Sequence, residues 1–149
     1  VRPYTYTHAS TQQNYAHYNQ PLAHPFGANF YEGLGIIQYK HHRYRVEVKG
    51  IYAVIGKDTS NTAGNIGQNI FLSYTTRPYD YGHYIGQGIQ HTFAQLEVKY
   101  TYYLIPNMNL RIEAGFIQRS VQSTEGFLRQ TPFIYAGIKT SLYNMYRDF

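Results

Sequence analysis

The stretch "RYRVEVKGIYAVI", residues 43–55, decides the fold. Arg43, Arg45, Glu47 and Lys49 stand at every second position, with Tyr44, Val46, Val48, Gly50, Tyr52 and Val54 between and beyond them. Period two is the mark of a β-strand, because successive side chains leave opposite faces of the pleat. At roughly 3.3 Å per residue these residues reach about 43 Å. Strands of soluble domains usually have about 5–6 residues. A tilted strand that crosses a bilayer core needs about 9–11. The length therefore leans towards a membrane barrel.

The alternation recurs along the chain. In residues 91–104, Ala94, Leu96, Val98, Tyr100, Tyr102 and Leu104 share one face, and Gln95, Glu97, Lys99 and Thr101 share the other. In residues 110–121, Leu110, Ile112, Ala114 and Phe116 lie opposite Arg111, Glu113 and Arg119. Residues 132–146 carry Ile134, Ala136, Ile138, Thr140 and Leu142 on one face. Residues 2–9 and 30–39 add two further strand-like runs, and no helical period or internal repeat is visible. The expected fold is all-β: one segment, residues 1–149, of an antiparallel up-and-down transmembrane β-barrel with about six long strands.

Alternation does not say which face turns inward. A soluble barrel keeps its apolar face inside, whereas a membrane barrel turns it to lipid. Connection lengths bear on the choice, since outer-membrane barrels have short periplasmic turns and longer outer loops. Residues 10–27, 56–88 and 122–130 read as long loops, with tight turns at 40–42 and 105–109. All long loops then fall at one end, provided that "IFLSY" (70–74) belongs to the loop around it. On this basis Tyr44, Val46, Val48, Tyr52 and Val54 are expected to meet lipid. Arg43, Arg45, Glu47, Lys49, Glu97, Lys99, Arg111, Glu113 and Arg119 are expected to line a wet interior of mixed charge. The alternative is a soluble, lipocalin-like sheet.

Composition agrees with either. No run of eighteen apolar residues is present, so a transmembrane helix is not expected. The mean hydropathy of −0.48 suits a barrel as well as a soluble protein, because alternation averages out. Eighteen tyrosines suit strands and membrane interfaces, where the ring is apolar and the hydroxyl stays wet. The absence of cysteine rules out disulfides and cysteine-based sites. The formal charge is +5, but beyond "KHHR" (40–43) the basic residues are interleaved along strands, so nucleic acid is not an expected partner. The chain begins at Val1 without a visible signal peptide, and reads as a processed chain or a piece of a longer one. Its terminal Phe149 resembles the closing residue of bacterial outer-membrane barrels, although its parity is opposite to that of Ile134 and Ile138. A bulge, or a strand ending near Tyr146, would account for that.

Residues 20–30, "QPLAHPFGANF", with "NIGQNIFLSY" (65–74) and "IGQG" (85–88), resemble the C-terminal part of Wzi-type capsule-assembly outer-membrane barrels. The likeness is strongest to members from gliding Bacteroidota, and it runs from about residue 20 to the end. The resemblance implies a many-stranded barrel in the bacterial outer membrane and a role in surface polysaccharide assembly or retention, or in adhesion and gliding. It implies no enzymatic activity and no cofactor. A closed membrane barrel needs at least about eight strands, so the rest is expected from further chain or from other outer-membrane subunits. A structural or transport subunit of a larger outer-membrane complex is the alternative.

Chemistry-bearing motifs are few. The seven histidines include no H-x-x-x-H pair, and His41 and His42 would point to opposite faces of a strand, so no metal site is expected. No serine lies in a nucleophile elbow. Gly64, Gly67, Gly82, Gly86 and Gly88 lack the Lys-Ser/Thr and the helix of a phosphate loop. The loop "RPYDYGHY" (77–84) is the candidate ligand surface. Tyr79, Tyr81 and Tyr84 offer faces for sugar rings or a protein partner, and Arg77, Asp80 and His83 offer polar groups for hydroxyls. The more ordinary reading, favoured by loop length, is a loop folded over the barrel mouth through its own tyrosines.

Overall fold

The computed structural model describes residues 1–58 and 64–140. The expected strand beyond Thr140, including Leu142, Tyr146 and Phe149, lies outside the described residues.

Five long strands dominate: β3 (Phe30–His41), β4 (Tyr44–Lys57), β5 (Ile89–Ile105), β6 (Leu110–Ser123) and β7 (Leu128–Lys139). They form one antiparallel sheet in the order β3-β4-β5-β6-β7, so every strand neighbours the one before it in sequence. The sheet does not close on itself, and β3 and β7 are its edges. A separate two-residue hairpin, β1 (Ala16–His17) and β2 (Gln20–Pro21), turns at Tyr18 and Asn19. Both turn residues have positive φ, 47° and 59°, as a tight hairpin with right-handed strand twist requires.

Three expectations are corrected. Residues 2–9 form turns instead of a sixth strand. Tyr4 and Tyr6 sit at φ 61° and 75°, and the Thr5 and Thr7 amides donate to the carbonyls three residues back. That is turn bonding, and it leaves no extended ladder. The supposed long loop at 122–130 shrinks to residues 124–127, because β6 and β7 extend into it. Only the β4–β5 connection remains long, so the expected alternation of long and short connections does not hold. Arg43 belongs to the tight β3–β4 turn, beside His42 at φ 49°, so it is exposed and outside the strand. The assignment of "IFLSY" to a loop agrees with the structure, which has no strand there, only a 3-10 turn at Tyr74–Thr76.

The chain divides into two compact units. The first comprises residues 1–33, 51–94 and 120–130. It holds every buried apolar residue described: Ala28, Phe30, Ala53, Val54, Ile55 and Ile70. Its loops are tied down by Asn29, which is fully buried. The Asn29 amide donates to the Gly56 and Gln87 carbonyls, each at 2.9 Å, and accepts from the Gly86 amide at 2.8 Å. One side chain thereby satisfies three backbone groups that burial would otherwise leave unpaired. The Tyr4 amide also donates to the Gly67 carbonyl at 2.9 Å.

The second unit comprises residues 34–50, 95–119 and 131 onwards. No described apolar residue in it is buried. Its covered residues are Thr101, Glu113 and Gly115. No described helix is long and apolar enough to cross a membrane.

Candidate functional site

Two surfaces carry the candidate residues. The first is the 77–84 loop, in the first unit. Arg77 grips Asp80 Oδ1 through Nε at 3.1 Å and Nη2 at 2.9 Å. Its guanidinium lies 5.6 Å from the centre of the Tyr74 ring. His83 Nε2 meets the Tyr79 carbonyl at 2.9 Å. A carbonyl only accepts, so Nε2 carries the proton and donates. The other ring nitrogen then accepts from the Gln87 amide at 3.2 Å. The His83 ring also meets Tyr4 edge-on, with centroids 4.7 Å apart. Tyr4 donates its hydroxyl to the Asn65 carbonyl at 2.6 Å. Burial raises the Tyr4 pKa, the Asp58 charge adds to the shift, and Arg77 opposes it.

The loop is thus held by Arg77, Asp80 and His83 together with Tyr4 and Tyr74. Tyr79, Tyr81 and Tyr84 are not what packs it. Their exposures are 70%, 89% and 67%, so three aromatic faces project from a pinned backbone. Sequence reasoning missed Tyr4 and Asn65, which meet across 61 residues of chain, and Gln87, which joins His83 nearby to the Ile66 carbonyl further back.

The second surface is the polar face of the strands in the second unit. Glu47 accepts from Arg45 Nη2 at 3.0 Å and from Lys99 Nζ at 2.6 Å. Gln38 of β3 donates to the same carboxylate at 2.6 Å. Glu113 pairs with Arg111 at 2.7 Å and with Lys139 at 2.6 Å. Arg111 also donates to the Asn109 side chain at 2.8 Å. Lys49 shares the parity of Arg45 and Glu47 and is half-buried. Lys99 bonds across to Glu47, while Glu97 accepts the Tyr135 hydroxyl at 3.3 Å. Arg119 has the parity of Arg111 and Glu113 but is exposed.

Tyr135 and Lys139, both on β7, were absent from the sequence-based set. The Tyr135 ring lies against Gly115, where any Cβ would land on the ring itself. A strand glycine here is a seat for the aromatic ring.

The opposite parity is apolar and open. Tyr44, Leu96, Val98, Tyr100, Ile112 and Phe116 are all exposed. Adjacent residues on β6 make the contrast plain: Ile112 is 42% exposed and Glu113 is 5% exposed.

The neighbours His41 and His42 meet edge-on, with ring centroids 4.2 Å apart. His24, which lacks a carboxylate beside it in sequence, meets Glu32 at 2.9 Å. No group of three metal-ligating side chains occurs among the described residues. No protein-family model, curated protein or solved structure matches the chain.

Proposed function

We propose that the chain is a non-enzymatic segment of a bacterial outer-membrane β-barrel that helps organise or retain surface polysaccharide, or supports adhesion and gliding. The supporting observation is the reversed burial of the second unit, with Glu113 and Thr101 covered while Leu96, Val98 and Ile112 are open. In water this arrangement forfeits the hydrophobic gain of about 25 cal/mol per Å² of apolar surface that burial would bring. In lipid the same exposed face costs nothing, and the charged face belongs on the wet side. The open edges β3 and β7 need further strands in lipid, where unpaired backbone groups are costly. Those edges also favour the second reading, a structural or transport subunit of a larger outer-membrane complex. The aromatic loop supports the polysaccharide role, because tyrosine faces stack on sugar rings.

Two experiments test this. Cysteines at Val48 and Val98 should resist a membrane-impermeant reagent in the membrane-embedded protein, whereas cysteines at Glu47 and Glu97 should react. The reverse pattern would refute the membrane orientation. Replacing Tyr79, Tyr81 and Tyr84 together with alanine should weaken glycan retention up to roughly a hundredfold, at about 1 kcal/mol per ring; contacting rings need not add independently. Unchanged retention with loss of a co-purifying subunit would favour the second reading.

A further inference from the structure

The charge of the chain is unevenly divided. The first unit carries Arg2, Lys57, Arg77 and Arg129 against Glu32, Asp58, Asp80 and Glu125, which balance. The whole formal excess of +5 therefore falls in the second unit. There the ion pairs are not one-to-one. Glu47 is shared by Arg45 and Lys99, and Glu113 by Arg111 and Lys139. Each cluster keeps one net positive charge. Lys49 adds another on the same strand parity, against the single charge of Glu97.

A carboxylate between two cations neutralises one of them and leaves two like charges a few ångströms apart. That arrangement holds best when an outside anion shares the surplus. Cationic walls of this kind select anions in pores, and low-dielectric surroundings strengthen the field over such a surface. The geometry points to the polar strand face of the second unit as an anion-binding surface whose ligand is an acidic polysaccharide, held through its uronate carboxylates. This surface shares no residue with the tyrosine loop and would bind a charged polymer where the loop stacks on any sugar. The inference rests on the proposed wet side of the sheet, which the cysteine labelling at Glu47 and Glu97 tests by itself.

The probe is polygalacturonate, titrated into the full chain in zwitterionic detergent micelles, with dextran as the neutral control and inorganic phosphate as the small-anion control. Polygalacturonate should bind, and more weakly as salt rises. Lys49→Glu should weaken binding by about tenfold at low salt. The triple alanine variant at Tyr79, Tyr81 and Tyr84 should weaken polygalacturonate and dextran binding alike and leave the salt dependence of polygalacturonate binding intact. Lys49→Gln, which keeps the size and removes only the charge, should give a smaller loss in the same direction and serves if the reversal misfolds. Binding that ignores salt, equal affinity for dextran, full displacement by equimolar phosphate, or wild-type affinity in folded Lys49→Gln would each overturn the proposal.

Discussion

The contact between Gly115 and Tyr135 gives the most discriminating test of how the second unit is packed. A Cβ on Gly115 would fall on the phenol end of the Tyr135 ring. Gly115→Ala must therefore push the ring aside, because the glycine backbone is held in β6 by its neighbours on both sides. Overpacking of this kind costs about 1–3 kcal/mol. Moving the ring also draws its hydroxyl from Glu97, a bond to a charged group that is long at 3.3 Å and so worth about 1 kcal/mol. The expected loss is about 2–4 kcal/mol. Alanine also has less backbone freedom than glycine, which works slightly the other way. Urea unfolding of the chain in detergent micelles, followed by near-ultraviolet circular dichroism, reads the change. The decisive comparison is a cycle with Tyr135→Ala. Once the ring is gone, Gly115→Ala has nothing to strike and should cost under about 1 kcal/mol, leaving a coupling of at least about 1 kcal/mol. An equal cost in both backgrounds would refute the idea that the glycine exists to seat the ring.

Three further outcomes follow from particular contacts. Glu113→Gln leaves Arg111 and the largely exposed Lys139 without their shared counter-charge, and should destabilise by about 1–3 kcal/mol. The exposed pair broken by Asp80→Asn should cost under about 1 kcal/mol in the same unfolding assay; equal effects would mean that burial of Glu113 is not what matters. Asn29→Ala strips partners from Gly56, Gln87 and Gly86 and should cost about 3 kcal/mol or more, with amide exchange at Gly86 rising first; protection left intact at Gly86 would count against the role of Asn29. The Tyr4 pKa is raised above its ordinary value of 10.0, so the fold favours the neutral phenol. That contribution is whole below the unfolded value and is lost as pH climbs through the folded one. Alkaline unfolding of the wild type should therefore be steeper than that of Tyr4→Phe, and identical curves would remove Tyr4 from the account.

The sequence made β4, β5 and β6 legible because their two faces differ so sharply in polarity that period two stands out. Arg45, Glu47, Lys49 against Val46, Val48 is enough to fix the strand and to separate its two faces, though not to say which of them turns inward. Residues 2–9 misled for a physical reason. Tyrosine and threonine favour strands, but here the Tyr4 ring and amide are claimed by His83, Asn65 and Gly67. Those long-range contacts accompany Tyr4 in the left-handed region, against local preference. The segment 122–130 looked like a loop because it is polar. An edge strand such as β7 is exposed on both faces along nearly its whole length, so polarity does not separate it from a loop.

The charged side of the candidate surface was legible residue by residue, but its pairing was not. Whether Lys99 meets Glu97 or Glu47 depends on the register between β4 and β5, which a strand's own sequence does not contain. The same holds for Tyr135 and Gly115, and for Lys139 and Glu113, which join across β6 and β7. In the aromatic loop, the residue types were visible while their division of labour was not. Arg77, Asp80 and His83 spend their polar groups on the loop itself, and this leaves Tyr79, Tyr81 and Tyr84 outward.

The alternating pattern has one last consequence for how the second unit finds its register. A slip of one residue exchanges the two faces of a strand completely. In water, such a slip in β6 would bring Ile112 and Phe116 to the covered side and release Glu113, which favours the slipped form. In lipid the same slip would carry Glu113, with Arg111, into hydrocarbon at a cost of about 2–4 kcal/mol for the arginine alone near the midplane. The sign of the preference thus depends on the solvent. On the proposed membrane reading, the contacts of Glu47 and Glu113, each tying two or three strands together, would hold the observed register before lipid is present. If so, Glu47→Gln combined with Glu113→Gln should leave insertion possible but slow. Refolding into micelles would become slower and heterogeneous, while the final exposure of Val48 and Val98 stays as in the wild type. A double variant that refolds at the wild-type rate would show that the hydrophobic face alone sets the register.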